Sequence, residues 1–158
     1  MIRLAALLLI LACPAIADDA SAPFTAEVVR VTDGDTVTVL HDRTEVRIRL
    51  EGIDAPERGQ AFGTRARQAL SDACFGRDIL VEPTGTDRYG RTIATLKIEG
   101  RSINLAMVRA GMAWHYTQFS DDADLAEAER AARKARRGLW RDPDPVPPWE
   151  WRRRDREK

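Results

Sequence analysis

The sequence predicts an α+β fold, in which five short strands form a small closed β-barrel and about three α-helices pack around it. Three observations support this prediction. Five short segments are rich in β-branched and other apolar residues, several of them in alternation with polar ones. Three further segments carry helical apolar spacing or capping residues, and each is followed by glycine. The chain has 158 residues, a length that suits one domain with a single core.

The barrel strands are predicted in two groups. The first group contains residues 27–31, 36–40 and 45–50. Its last two strands form a hairpin that turns through residues 41–44. The second group contains residues 79–82 and 92–98, joined by a loop with two glycines. Alternation is clearest in the third strand, where Val46, Ile48 and Leu50 are separated by charged residues.

Along the chain, the first predicted helix comes before the second strand group and the second helix comes after it. Apolar residues recur at helical spacing over residues 62–73, and Gly76 follows as a stop. The next helix is predicted to begin at the N-cap Ser102 and to end at Gly111. A helix inserted after the third of five strands is typical of the barrel of the oligonucleotide-binding type, the OB-fold.

The third helix is predicted for residues 123–137, with Ser120 or Asp121 as its N-cap and Gly138 at its end. Acidic residues near its start and basic residues near its end suit the helix dipole.

The chain after this helix has a different composition. Four prolines within residues 143–148 exclude regular structure, so we expect an extended segment that carries Trp149 and Trp151 into a basic end. Such a tail can wrap the barrel, dock on a partner or lie along nucleic acid. The predicted organisation is a signal peptide at residues 1–17, a linker at 18–23, a folded domain at 24–141 and the tail at 142–158.

The first 17 residues have the features of a secretory signal peptide, including an apolar run and a small-residue cleavage site that ends at Ala17. The run is shorter than the ~20 residues of a spanning helix, so no membrane span is predicted. Cys13 resembles a lipid-attachment site, but Pro14 disfavours that alternative. We expect a secreted or periplasmic protein cleaved after Ala17. Cys74 then remains as the sole thiol, and its apolar surroundings indicate a buried core residue rather than a nucleophile.

Charge is unevenly distributed although the formal net charge is zero. Basic residues crowd residues 130–158, and acidic residues dominate residues 121–124. Such a run is either an ordinary solvated face or a surface for polyanions. A protein whose basic tail binds anions of a membrane or cell wall is therefore one alternative function.

Three short motifs contain the residues that carry chemistry, namely Asp33-Gly34-Asp35-Thr36, the segment from Arg49 to Glu57, and Asp87-Arg88-Tyr89-Gly90-Arg91. Asp35 and Asp54 are hard oxygen ligands, and calcium is favoured over magnesium because it tolerates irregular ligand shells. The two histidines, His41 and His115, lie outside the motifs, which argues against zinc or copper. Taken alone, the first motif is also consistent with an ordinary turn.

The same motifs supply groups for phosphodiester hydrolysis. Glu57 is the candidate general base, since a glutamate can reach a water beside a metal-bound phosphate. Arg49 and Arg91 are candidates for stabilising the transition state, because guanidinium groups offer paired donors to phosphoryl oxygens. The alternative for Arg49 is an outward strand position paired with Glu51.

Together these motifs resemble the two signatures of the thermonuclease family, the relatives of staphylococcal nuclease, and the similarity extends over about residues 25–140. The resemblance implies an OB-fold barrel whose members hydrolyse DNA and RNA, use one Ca²⁺ per domain and leave 3′-phosphate ends. By position in the motifs, Arg49, Glu57 and Arg91 match the catalytic residues. Asp35 and Asp54 match the metal-binding carboxylates.

The resemblance also implies roles for four further residues. Ala55 stands where some members carry threonine, at a position whose backbone carbonyl binds the metal. Tyr89 matches a tyrosine that lines the nucleotide pocket, and Tyr116 is predicted on the same wall, with core packing as its alternative, as for Trp114. Arg88 is predicted to contact a terminal phosphate.

The sequence therefore predicts a secreted, calcium-dependent hydrolase that cuts DNA and/or RNA and acts as a monomer without an obligate protein partner. A competing hypothesis is an OB-fold module that binds nucleic acid without cutting it. Loss of Arg49, Glu57 or Arg91 would mark such a module, and all three are present.

Overall fold

The computed structural model of the protein describes residues 22–157. The predicted signal peptide with Cys13 and most of the predicted linker lie outside the described residues. Five long strands are present: β1 (Phe24–Asp33), β2 (Thr36–His41), β3 (Thr44–Leu50), β5 (Asp78–Thr86) and β6 (Thr92–Ile98). Three strands have two residues each: β4 (Ile53–Asp54), β7 (Arg101–Ser102) and β8 (Trp114–His115). The helices are α1 (Gly63–Cys74), α2 (Ile103–Arg109), α3 (Ala123–Lys134), a 3₁₀ turn (Gly138–Arg141) and α4 (Pro148–Arg156).

The long strands close into the predicted barrel. They pair in the order β3-β2-β1-β5-β6, with β7 added beside β6, and every one of these pairings is antiparallel. A parallel pairing between β3 and β6 closes the ring. The α+β fold with a five-stranded barrel is therefore confirmed.

The interior of the barrel comes from the alternating apolar residues of its strands. Val28, Val37, Ile48 and Leu96 are completely buried there. Helix α1 covers this core with its apolar face, on which Ala66, Leu70 and Cys74 are fully buried. The prediction that Cys74 is a core thiol is confirmed, and burial raises the pKa of this thiol to about 12.

A second apolar cluster lies outside the barrel and joins the later helices. It contains Trp114, Ala132, Leu139 and Trp140, with Trp149 packed against it. Trp114 therefore packs in an apolar cluster, in agreement with the alternative of core packing. No helix within residues 22–157 is long and apolar enough to cross a membrane.

Helix capping agrees with the sequence at α2 and differs at α3. The Ser102 hydroxyl accepts the amide of Leu105, as predicted. The predicted caps Ser120 and Asp121 are wrong for α3, because Asp122 caps it instead and accepts two amides of the first turn. The Ser120 hydroxyl is already used by the ring of His115 and the amide of Asp122. Helix α3 ends at Lys134, three residues before the predicted end at residue 137.

The prediction that the tail has no regular structure is wrong, because α4 forms within it. The last proline, Pro148, occupies the first position of the helix, where a missing amide proton costs nothing. No proline follows it, so the rest of the segment is free to be helical. The tail folds back onto the domain, where the side chain of Gln60 donates a 2.6 Å hydrogen bond to the carbonyl of Val146.

Candidate active site

The pairing of the barrel strands brings the first and third motifs to Arg49. In the β2–β3 ladder Arg49 lies opposite Thr36, directly after Asp35. In the parallel β3–β6 closure Arg49 lies beside Ile93, two residues after Arg91. Closure of the barrel therefore gathers segments that are far apart in sequence.

Arg49 links the two predicted metal-binding carboxylates. Its Nη1 forms an ion pair with Asp35, and its Nη2 lies 2.7 Å from Oδ1 of Asp54. The same Nη2 donates to the carbonyl of Ile53 at 3.2 Å. The Arg49 side chain is 14% exposed, so the alternative of an outward surface pair with Glu51 is wrong.

Asp35 is held by several donors besides Arg49. Its Oδ2 accepts the backbone amide of Ala55 at 2.8 Å, and its Oδ1 accepts the hydroxyl of Thr36 at 3.0 Å. Burial disfavours the charged form of Asp35, but the charge and hydrogen bond of Arg49 and the Ala55 amide hold the pKa of this carboxyl below its ordinary value. These contacts favour the ionised form of Asp35.

The turn before β2 requires glycine because it approaches α1 closely. A Cβ on Gly34 would lie 2.7 Å from the Cβ atoms of both Ala55 and Ala66. The close backbone approach expected of Gly34 is therefore present. It seats the Asp33–Asp35 turn directly against the segment that carries Asp54 and Ala55.

Arg91 is held by its own loop and reaches the same network. Its Nε lies 2.7 Å from Oδ2 of Asp87, and its Nη1 donates to the Thr36 hydroxyl at 3.4 Å. Burial disfavours the charge on Asp87, but hydrogen bonds from Arg91 and from the amide of Tyr89 hold its pKa below the ordinary value. Thr36 thus connects Arg91 to Asp35.

Glu57 and Asp54 share a partner that the sequence prediction missed. Arg152 of α4 places its Nη1 2.6 Å from Oε1 of Glu57 and 3.1 Å from Oδ1 of Asp54. Its Nη2 lies 2.8 Å from Oδ2 of Asp54. Gln60 is a second missed residue, since its side-chain carbonyl accepts the amide of Glu57 at 3.0 Å.

The predicted substrate-binding residues fall into two places. Tyr89 is 67% exposed and receives a 2.7 Å hydrogen bond from Arg88 on its hydroxyl. The guanidinium of Arg91 lies 5.7 Å from the centre of its ring. Tyr116 follows β8, which pairs with β4 next to Asp54, and its ring is stacked on Trp149 with centroids 5.3 Å apart and planes 12° apart.

The donor set fits a hard divalent cation. Burial raises the pKa of Asp54 although Arg152 donates to it, and burial together with Asp35 raises the pKa of Asp33 to about 7. Carboxylates are thus crowded at a place where added positive charge would be stabilising. Within residues 22–157 no group of three or more His, Cys, Asp and Glu side chains is arranged around one metal position.

Comparisons with known proteins identify the family of the chain. Residues 47–142 match the family model of staphylococcal nuclease homologues. The chain is 48% identical to Protein ParB of Escherichia coli, over 97% of this chain and 91% of that protein. It is 48% identical to micrococcal nuclease of Shigella flexneri, over 94% and 89%, and 45% identical to an uncharacterized endonuclease of Escherichia coli O157:H7, over 80% and 84%.

The barrel, its clustered carboxylates and guanidinium groups, and these relatives define a nuclease, a hydrolase that acts on nucleic acid. The chain belongs to the family of staphylococcal nuclease homologues.

Proposed function

We propose that the protein is a secreted, calcium-dependent nuclease that hydrolyses DNA and/or RNA and leaves 3′-phosphate ends. One observation carries the catalytic part of this proposal. A continuous series of polar contacts runs from Arg91 through Thr36, Asp35 and Arg49 to Asp54. All three motifs therefore meet at one site.

Asp35 and Asp54 would hold the calcium ion, together with the backbone carbonyl of Ala55. When bound, the cation would neutralise charge that develops on the phosphoryl oxygens. The amide of Ala55 already donates to Asp35, which ties the proposed carbonyl donor to the carboxylate.

Glu57 is the proposed general base. It would take a proton from a water that attacks phosphorus, while the bond from phosphorus to the 5′ oxygen breaks in line with the attack. The phosphate stays on the 3′ oxygen, and the 5′ oxygen takes a proton from solvent water and leaves as a hydroxyl. Arg49 and Arg91 would stabilise the charge of the transition state from two sides.

Arg88, Tyr89 and Tyr116 are the proposed substrate-binding residues. The exposed ring of Tyr89 beside Arg91 suits a stacked base next to the scissile phosphate. Arg88 would contact a terminal phosphate, and Tyr116 would offer a second aromatic face.

Hydrolysis of single-stranded DNA and of RNA by the purified protein tests the proposal. We expect release of acid-soluble nucleotides with calcium, none with chelator, and a loss of about 10²–10⁴ in rate in Glu57→Gln. The matched control is Glu27→Gln, an exposed position on β1. A Glu57→Gln rate within a few fold of wild type would remove Glu57 as the base. Binding without hydrolysis under every metal would favour the non-catalytic OB-fold module instead.

Secretion is tested separately by the mass of the exported protein. We expect a chain that begins at Asp18. A lipid on Cys13 or an uncleaved chain would contradict this part of the proposal.

A further inference from the structure

Helix α4 covers the proposed active site with two side chains. Trp149 and Arg152 are three residues apart, so they project from the same face of the helix. Arg152 contacts Asp54 and Glu57, and Trp149 stacks on Tyr116.

Arg152 donates hydrogen bonds to carboxylate oxygens that the proposed reaction needs. Its guanidinium engages both oxygens of Asp54, the proposed cation ligand, and Oε1 of Glu57, the proposed base. A cation bound to Asp54 would compete with Arg152 for the same lone pairs. A water held by Glu57 would compete for the same oxygen.

Trp149 uses a surface proposed for the substrate. Its ring lies nearly parallel to that of Tyr116 at a centroid distance of 5.3 Å, as a stacked base would lie. The edge of Trp114 contacts it from another side at 5.6 Å. One short helix therefore contacts the proposed cation ligand, the proposed base and the proposed base-stacking surface.

The contacts of α4 are of a kind that can be exchanged. Nine residues are too few for a stable isolated helix, so α4 depends on docking. The Arg152 side chain is 36% exposed, which allows water and ions to reach its ion pairs. A cavity of about 70 Å³ remains between the tail and the loop before α1, lined in part by Gln60, Val146 and Trp151.

The chain before α4 would keep an undocked helix close to the site. Leu139 and Trp140 are buried in the second apolar cluster, and only a short segment separates them from α4. A tethered group has a high effective concentration, so even a weak ion pair can close the site.

We propose that α4 is an autoinhibitory lid, in which Arg152 and Trp149 occupy the cation-binding and base-stacking positions until calcium and nucleic acid displace them. This inference rests on the proposed function. In this mechanism calcium is the cofactor and also the ligand that displaces α4 from the site.

Calcium titration calorimetry on the whole protein tests the lid. Because closure reduces the fraction of molecules that can bind, we expect the calcium Kd of Arg152→Ala to be about tenfold lower than that of wild type. Trp149→Ala should shift it in the same direction by a smaller factor. The control is Arg153→Ala, which removes the same charge from an exposed position of the same helix and should leave the Kd unchanged.

Amide hydrogen exchange of residues 149–156 supplies a readout that does not depend on activity. In wild type we expect calcium to speed exchange by about tenfold, because the lid opens. In Arg152→Ala and Trp149→Ala, exchange should be fast without calcium. Urea unfolding shows whether each variant folds. If Arg152→Ala does not fold, Trp149→Ala alone tests the lid.

Three outcomes would overturn the lid. The first is an equal calcium Kd in all four proteins with exchange that calcium does not change. The second is a lower rate of Arg152→Ala at saturating calcium with an unchanged Kd, which would make Arg152 part of phosphate binding. The third is that no protein hydrolyses nucleic acid or binds calcium, in which case the proposed function fails together with the lid; the first two leave that function standing.

Discussion

On one side of the site, Arg49 is enclosed by β-strands and bound to two buried carboxylates, whereas on the other side Arg91 is held by an aspartate of its own loop beside an exposed tyrosine. We call these the barrel half (Asp35, Arg49, Asp54) and the loop half (Asp87, Tyr89, Arg91). The barrel half depends on three strands and the turn at Gly34. The side chain of Arg91 in the loop half is anchored mainly within five consecutive residues, and outside them it donates a 3.4 Å hydrogen bond to Thr36. Function and stability should therefore be coupled in the first half and separable in the second.

Replacing either arginine by lysine is the strongest test of this difference. We expect Arg49→Lys and Arg91→Lys each to lower kcat/KM by about 10²–10³, because an ammonium cannot copy paired donors. Only Arg49→Lys should also destabilise the protein, by about 1–3 kcal/mol, since buried carboxylates lose hydrogen bonds.

Kinetics of DNA hydrolysis measure the change in kcat/KM. Urea unfolding without calcium measures the change in stability. Arg47→Lys is the matched control, because it lies on the same strand and is exposed. Equal loss of stability in the Arg49 and Arg91 variants would show that the two halves are not separable.

The anchor of the loop half should have a smaller effect on activity. Asp87→Asn weakens the contact that orients Arg91, and we expect kcat to fall by about tenfold to 10²-fold through misplacement of the guanidinium. Stability should fall less than in Arg49→Lys, because the hydrogen bonds that Asp87 accepts all come from residues of its own loop. Asp78→Asn, at an exposed strand end, is the control. A rate equal to wild type would mean that Arg91 is positioned without Asp87.

The turn of the barrel half should affect stability first. In Gly34→Ala the added methyl meets Ala55 and Ala66, and we expect a loss of about 1–3 kcal/mol in the free energy of unfolding. Gly85→Ala is the control, since a methyl there meets nothing within 4 Å. Thermal or urea unfolding compares the stabilities of the two variants. Equal stability would contradict the close approach at Gly34.

The smallest effect is expected at the thiol. Burial raises the pKa of Cys74 to about 12, so at pH 8 the thiol is protonated and shielded. We expect no labelling of Cys74 by a thiol reagent in the folded protein and full labelling in denaturant, with mass spectrometry to locate the label. Rapid labelling of the native protein would place Cys74 outside the core.

Most of the barrel was predictable because its elements are encoded locally. Alternation located five strands, and a serine and a glycine bounded α2. Prediction was poorer where two local options compete. Ser120 could cap α3 by its chemistry, but its hydroxyl is already used by His115 in the folded protein.

The sequence by itself determined the strands, the first three helices and the three motifs, because periodicity, capping and turn chemistry depend on near neighbours. Only the tertiary structure decided how the motifs meet, through the register of β2, β3 and β6. It also decided the place of Arg152, 98 residues from Asp54, in a tail whose prolines suggested no regular structure. Such a long-range contact depends on which surfaces packing brings together, and no local pattern in the chain records it.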